Sequence, residues 1–181
     1  MNRDKIVLVG MMGAGKSTLG GLAAERMGMV FVDADEVFVR EAGMPVADFF
    51  RRFGEPEFRR RELETLAGLV RDPRPMIIAA GGGSFCQDAV RRHLLDSALT
   101  VFLHVGREEL LRRLENGGVA SRPMLAGGDW RRRVEELVDV RYPLYGEAHL
   151  TLDIGDEPAE RSAERLAELL AATTENGEDP C

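Results

Sequence analysis

The stretch Gly10-Met11-Met12-Gly13-Ala14-Gly15-Lys16-Ser17 constrains this chain more than any other. It fits G-x-x-x-x-G-K-[ST], a pattern that cradles phosphate when a strand feeds it and a helix leaves it. Lys5-Ile6-Val7-Leu8-Val9 is a short apolar run, which predicts a buried parallel strand. From Thr18 to Met27 the spacing is helical, with Leu19, Leu22, Ala23 and Met27 on one face. A glycine-rich turn matching by chance would not need all three to agree. Gly10, Gly13 and Gly15 let the backbone turn tightly and bring its N–H groups close to an anion. The helix N-terminus adds partial positive charge. Lys16 can reach the β- and γ-phosphates of a nucleotide, and the Ser17 hydroxyl can ligate Mg²⁺. Of 24 cationic side chains only Lys5 and Lys16 are lysine, so a lysine inside the loop points to a need for a compact ammonium.

A chain of 181 residues holds one well-cored domain with room for a mobile insertion. Its 44% hydrophobic and 30% charged residues are those of a soluble globular protein. A net charge of −7 argues against a general binder of nucleic acid or anionic membrane, although local arginine clusters can still hold small anions. No apolar run approaches the ~20 residues of a membrane span. The opening Met-Asn-Arg-Asp-Lys leads straight into the first strand, so no signal peptide is visible and a cytoplasmic location is expected. Cys86 and Cys181 do not make a disulfide framework.

Strand-like and helix-like segments alternate. Strands are expected at 5–9, 29–32, 76–80, 99–104 and 150–153. Helices are expected at 18–27, 34–42, 46–53, 58–70, 87–95, 107–114, 130–140 and 157–172, with Gly54-Glu55-Pro56 separating the third from the fourth. The helix from Trp130 is expected to end near Tyr142-Pro143, and Thr173 to Cys181 to fray. The pattern implies a three-layer α/β sandwich with a five-stranded, mostly parallel sheet. Such sheets bind ligands beyond the carboxyl ends of their strands.

Three further stretches lie there. Asp33-Ala34-Asp35 follows the second strand. If the chain is still extended, the two carboxylates point the same way, one to order Mg²⁺ and one to orient or deprotonate an acceptor hydroxyl; the bland alternative is a helix cap. Gly81-Gly82-Gly83 ends the third strand, where many phosphate-loop proteins carry a metal-ordering Asp. Without side chains the backbone can approach a small ligand, and Asp33 becomes the better metal candidate. Arginines recur at Arg59, where Glu62 three residues on can brace it, at Arg122 in the glycine-bearing stretch 116–129, and at Arg141. Spacing alone does not choose among them.

Taken in order, these stretches resemble shikimate kinase over about residues 5 to 170. They are the phosphate loop, Asp33-Ala34-Asp35, Gly-Glu-x-x-Phe-Arg at 54–59, the triple glycine, Arg122-Pro123-Met124-Leu125 and Arg141-Tyr142-Pro143-Leu144-Tyr145. The resemblance implies transfer of the ATP γ-phosphoryl to the 3-hydroxyl of shikimate, with Mg²⁺. It also implies a P-loop sheet of the nucleoside-monophosphate-kinase type, with strand three between strands one and two and a mobile lid. One domain over 1–173 is expected, with an acceptor-binding insertion at about 34–62, a lid at about 114–129 and a flexible tail at 174–181. Likeness to the family further implies a monomer acting on ATP and shikimate, without nucleic acid or membrane.

By the same resemblance, Lys16, Asp35 and Arg122 are catalytic, Asp35 as base or orienting group. Gly13, Ala14, Gly15, Lys16, Ser17, Thr18, Arg122, Pro158 and Arg113 contact ATP, with Arg112 the alternative to Arg113 at adenine. Asp35, Arg59, Gly81, Gly82, Gly83 and Arg141 bind shikimate, between walls made by Phe50 and Phe58. Ser17 and Asp33 serve the metal. One departure is that Ala79-Ala80 carries no hydroxyl, where many members have one just before the triple glycine. Two other readings compete: a hydroxy-acid kinase of the same fold, such as a gluconate kinase, and a non-catalytic ATP-binding module.

Overall fold

The structure, a computed structural model, describes residues 2–117 and 129–175. In chain order its elements are β1 (Asn2–Val9), α1 (Lys16–Met27), β2 (Val30–Asp33), α2 (Ala34–Ala42), α3 (Val46–Arg71), β3 (Met76–Ala79), a 3₁₀ turn (Ser84–Cys86), α4 (Asp88–Ser97), β4 (Ala98–Val105), α5 (Arg107–Asn116), α6 (Trp130–Tyr145), β5 (Leu150–Ile154) and α7 (Ala159–Glu175). The strands form one parallel sheet in the order β2-β3-β1-β4-β5. Strand three therefore lies between strands one and two, as expected.

Two consequences follow from that order. The connection from β1 to β2 runs one way along the sheet, and those from β2 through β5 run the other. Parallel crossovers are right-handed, so opposite directions put their helices on opposite faces. Thus α1, joined by α7, covers one face, while α4 packs on β1 and β4 from the other side with α3 beside it. The central strands are covered on both faces, which is why Ile6 to Val9 and Met76 to Ala79 read as unbroken apolar runs, with Val7, Leu8 and Met76 to Ile78 fully buried.

A second, smaller core lies off the sheet. Phe38 from α2 meets Phe49 and Phe58 from α3 with ring centroids 5.1 and 5.2 Å apart, edge to face. It ties α2 to the first half of α3 independently of the main core. The expected break at Gly54-Glu55-Pro56 is a kink within α3: Gly54 has φ 79 and ψ 173, and Pro56 follows where a restarting helix tolerates a missing N–H.

Three expectations need correction. The helix from Trp130 does not stop near Pro143 but runs to Tyr145. Pro143 removes only its own N–H bond close to the helix end. The complete burial of Tyr145 keeps the last turn in place. β3 ends at Ala79, although the Ala80 amide still donates to Leu8 O at 3.0 Å. The stretch after strand two is not extended, since α2 begins at Ala34 and Asp35 sits in its first turn. Arg122-Pro123 with most of the expected lid, and Cys181 with most of the expected tail, lie outside the described residues. Among the described residues no helix is long and apolar enough to cross a membrane.

Candidate active site

The phosphate loop spans the gap between β1 and α1. Gly10 has φ 142, and a Cβ built there would stand 2.8 Å from Leu103 O of the neighbouring strand. Gly13 and Gly15 have φ 83 and 93, backbone that other residues rarely adopt. Ala14 is buried beneath the loop and Thr18 is exposed in the first turn of α1. The Lys16 ammonium donates to Gly10 O at 2.8 Å and Met11 O at 3.0 Å, which holds it across the loop.

The Ser17 hydroxyl donates to Asp33 Oδ2 at 2.6 Å. Asp33 Oδ1 accepts from the Asp35 amide at 3.0 Å and caps α2. The cap is therefore present, and the same carboxylate also accepts from Ser17. The same capping turn, not extended backbone, brings Asp35 to the cleft. A hydroxyl and a carboxylate side by side at the head of α1 form a hard-oxygen pair that suits Mg²⁺.

Asp35 is open at the cleft surface, yet protein surrounds much of its carboxylate. That partial desolvation raises its pKa, helped by the charges of Asp33 and Glu62 and opposed by Lys16. A carboxylate so placed is a better proton acceptor than an ordinary Asp.

The triple glycine lies between these groups and the arginines. A Cβ on Gly82 would stand 3.5 Å from Met12 N of the phosphate loop, and one on Gly81 would stand 2.8 Å from Asp35 Oδ1. Over Gly83 two guanidiniums converge: the same construction puts Arg59 Nη1 and Nη2 at 3.6 Å and Arg141 Nη2 at 3.8 Å. Arg59 donates to Glu62 Oε2 at 2.9 Å, the brace its spacing suggested, and its guanidinium lies 5.0 Å over the Phe58 ring. Arg141 donates to Gly82 O at 3.1 Å. Phe58 is buried, and Phe50, with its ring centroid 5.7 Å from that of Phe58, is 41% exposed.

Two residues escaped the sequence reading. Tyr145 donates its hydroxyl to Gly82 O beside Arg141. Burial raises its pKa, so it stays a neutral donor. Its signal was the i, i+4 spacing from Arg141 in the stretch that closes α6. Ser84, almost fully buried, donates to Glu62 Oε1 at 2.7 Å. Nearby Cys86 is half-buried, and burial pushes its thiol pKa up against Arg141, which leaves it mostly protonated near neutrality.

On the far side of the loop, Thr18 and Gly15 share a cleft of ≈ 280 Å³ with Arg112, Arg113, Asp156 and Ala159. Arg113 donates to Glu109 Oε1 and Gly155 O, both at 2.6 Å, while Arg112 reaches Glu109 and Asp156. Arg113 is the deeper of the pair, with side-chain exposures of 24% and 52%. Pro158 is exposed just before α7, its carbonyl accepting from the Arg161 and Ser162 amides.

The sequence pattern of the family described as "Shikimate kinase" matches residues 12–171. The shikimate kinase of Paramagnetospirillum magneticum is 39% identical over 165 residues, which cover 91% of this chain and 83% of that protein. A solved structure titled shikimate kinase from Acinetobacter baumannii in complex with shikimate superposes with TM-score 0.86 and 32% identity, covering 97% of this chain and 95% of that one. A gluconokinase from Sinorhizobium meliloti, at TM-score 0.56 and 23% identity over 94% of this chain and 97% of its own, shares the fold alone. With the phosphate loop, the Asp33–Asp35 turn and the arginine-capped triple glycine on one sheet edge, this chain belongs to the shikimate kinase family.

Proposed function

We propose that the cleft transfers the γ-phosphoryl of ATP to the 3-hydroxyl of shikimate, giving shikimate 3-phosphate and ADP. The observation that carries this reading is the pair of guanidiniums, Arg59 and Arg141, converging over Gly83, two residues along the triple glycine from where Asp35 meets Gly81. A ring acid with one carboxylate and three hydroxyls needs a planar cationic fork at one end and a carboxylate acceptor at the other.

In this reading ATP lays its phosphates over the amides of Gly13, Ala14 and Gly15, with Lys16 on the β- and γ-oxygens and Arg113 or Arg112 beside the base. Arg59 and Arg141 fork the shikimate carboxylate, the triple glycine lets the ring lie close to the backbone, and Phe50 and Phe58 wall it in. Asp35 accepts a hydrogen bond from the 3-hydroxyl and takes its proton as the phosphoryl group arrives. Ser17 and Asp33 would hold Mg²⁺, which would neutralise phosphate charge during the transfer. Arg122, on a lid at about 114–129, closes over the transferring group and keeps water out. Residues 34–62 form the acceptor-binding insertion of a single domain over 1–173. Every group in this scheme comes from one chain, which fits a monomer, and the use of ATP fits a cytoplasmic location.

The test is ADP release with ATP and Mg²⁺ against shikimate, gluconate and other hydroxy acids. Turnover confined to shikimate supports the reading. Preference for gluconate, or ATP binding with no transfer to any acid, overturns it in favour of a related kinase or a binding module.

A further inference from the structure

Beside the triple glycine, the buried side chain of Ser84 has no part in the scheme above. Ser84 opens the 3₁₀ turn after the triple glycine, 1% exposed, with its amide donating to Gly81 O at 3.0 Å. Its hydroxyl donates to Glu62 Oε1 at 2.7 Å, while Glu62 Oε2 accepts from Arg59 Nη1 at 2.9 Å. Glu62 itself is 7% exposed, so its carboxylate cannot turn to water for a replacement partner. Each oxygen thus has its own donor, and the two bonds together fix the plane of the carboxylate. Space around the pair is tight: a Cβ on Gly81 would stand 2.8 Å from Ser84 Oγ and 3.4 Å from Glu62 Oε1.

We infer that Ser84 is a positioning residue for the acceptor carboxylate: its hydroxyl orients Glu62, and Glu62 holds one prong of Arg59 over Gly83. The chain lacks a hydroxyl just before the triple glycine, at Ala79-Ala80, and here carries one just after it. A binding side chain held within a few tenths of an ångström depends on such a supporting shell. Arg59 has many rotamers, and Glu55, its other ion-pair partner, lies at 3.4 Å on the exposed side. The buried Ser84–Glu62 pair is therefore the firmer anchor. The inference rests on the proposed role of Arg59 toward a carboxylate.

Steady-state kinetics of Ser84→Ala, Glu62→Gln, the double variant and Arg59→Lys test it, with shikimate and with its carboxamide as acceptors. Loss of one buried hydrogen bond acting through a neighbour should raise the shikimate KM of Ser84→Ala by about three- to tenfold, with a smaller change in kcat and none in the ATP KM. In the Glu62→Gln background the same change should cost less than about twofold, because the two side chains act as one unit. The carboxamide, which offers Arg59 no charge, should lose most of the effect even if Glu62→Gln folds poorly. An unchanged shikimate KM, an equal rise for both acceptors, or a parallel rise in the ATP KM overturns the inference. If Arg59→Lys raises the shikimate KM and Ser84→Ala does not, only the role of Ser84 falls. If Arg59→Lys also leaves it unchanged, the carboxylate reading itself falls.

Discussion

Asp35 is held in an environment that favours its neutral form, and that has consequences for both catalysis and stability. Partial burial and the charges of Asp33 and Glu62 raise its pKa, with Lys16 acting against them. A base must be ionised, so kcat/KM should fall with decreasing pH at a higher pH than an ordinary Asp would give, and a pH–rate profile checks this. For stability the sign is opposite to that of a salt-bridged Asp. With the folded pKa above the unfolded one, ionised Asp35 disfavours the folded state above that pKa. The penalty fades as pH falls and the group protonates. Asp35→Asn is therefore expected to abolish turnover, retain ATP binding, and raise the melting temperature at pH 7 by an increment that shrinks toward pH 4. Retained turnover would remove Asp35 from its role. Arg59→Lys keeps the charge but not the fork. A charged hydrogen bond is worth about 1.5–3 kcal/mol, so the shikimate KM should rise roughly ten- to a hundredfold.

The proposed acceptor side is built on two helices with a small core of their own. Phe38, Phe49 and Phe58 join α2 to the first half of α3, while Thr65 of α3 donates to Glu41 of α2 at 3.0 Å. Phe38→Ala should cost about 3–5 kcal/mol locally, as large-to-small core changes do. Hydrogen exchange should then rise across residues 34–62 while β1 and β3 stay protected, and the shikimate KM should rise more than the ATP KM. Uniform loss of protection would mean that the small core is not a separate unit.

At this scale the sequence was easiest to read where apolar runs are long, as in β1, β3 and β4. It misled at two places where a local rule was outweighed. Pro143 suggested a helix end, but the buried Tyr145 ring kept α6 going. The extended reading of Asp33-Ala34-Asp35 failed because Asp33 caps α2 and turns the chain at once. The convergence of Asp35, Glu62 and Ser84 around Gly81 could not be read from spacing, since it joins three segments through the sheet order.

Across the whole molecule, the sheet order turns scattered motifs into one cleft. Because β3 lies between β1 and β2, the triple glycine falls between the phosphate loop and the aspartate turn. α3 and α6 bring Arg59 and Arg141 over it from different parts of the chain. That much was legible once the family resemblance supplied the strand order; alternation alone gave only a parallel sheet. The remaining piece of the proposed machinery is Arg122, for which a role on the transferring phosphate is proposed. Arg122→Ala should mainly lower kcat, by about a hundredfold or more if it stabilises transition-state charge, with little change in shikimate affinity. A change confined to shikimate KM would contradict that placement.

The most direct measurement is a crystal structure of the chain with Mg²⁺, a non-hydrolysable ATP analogue and shikimate. The account predicts the phosphates on the 10–18 loop, the shikimate carboxylate forked by Arg59 and Arg141 above Gly83, and the 3-hydroxyl within hydrogen-bond reach of Asp35, in line with the γ-phosphate. A ring bound with its carboxylate away from both arginines, or outside the cleft between Asp35 and Gly83, would contradict it.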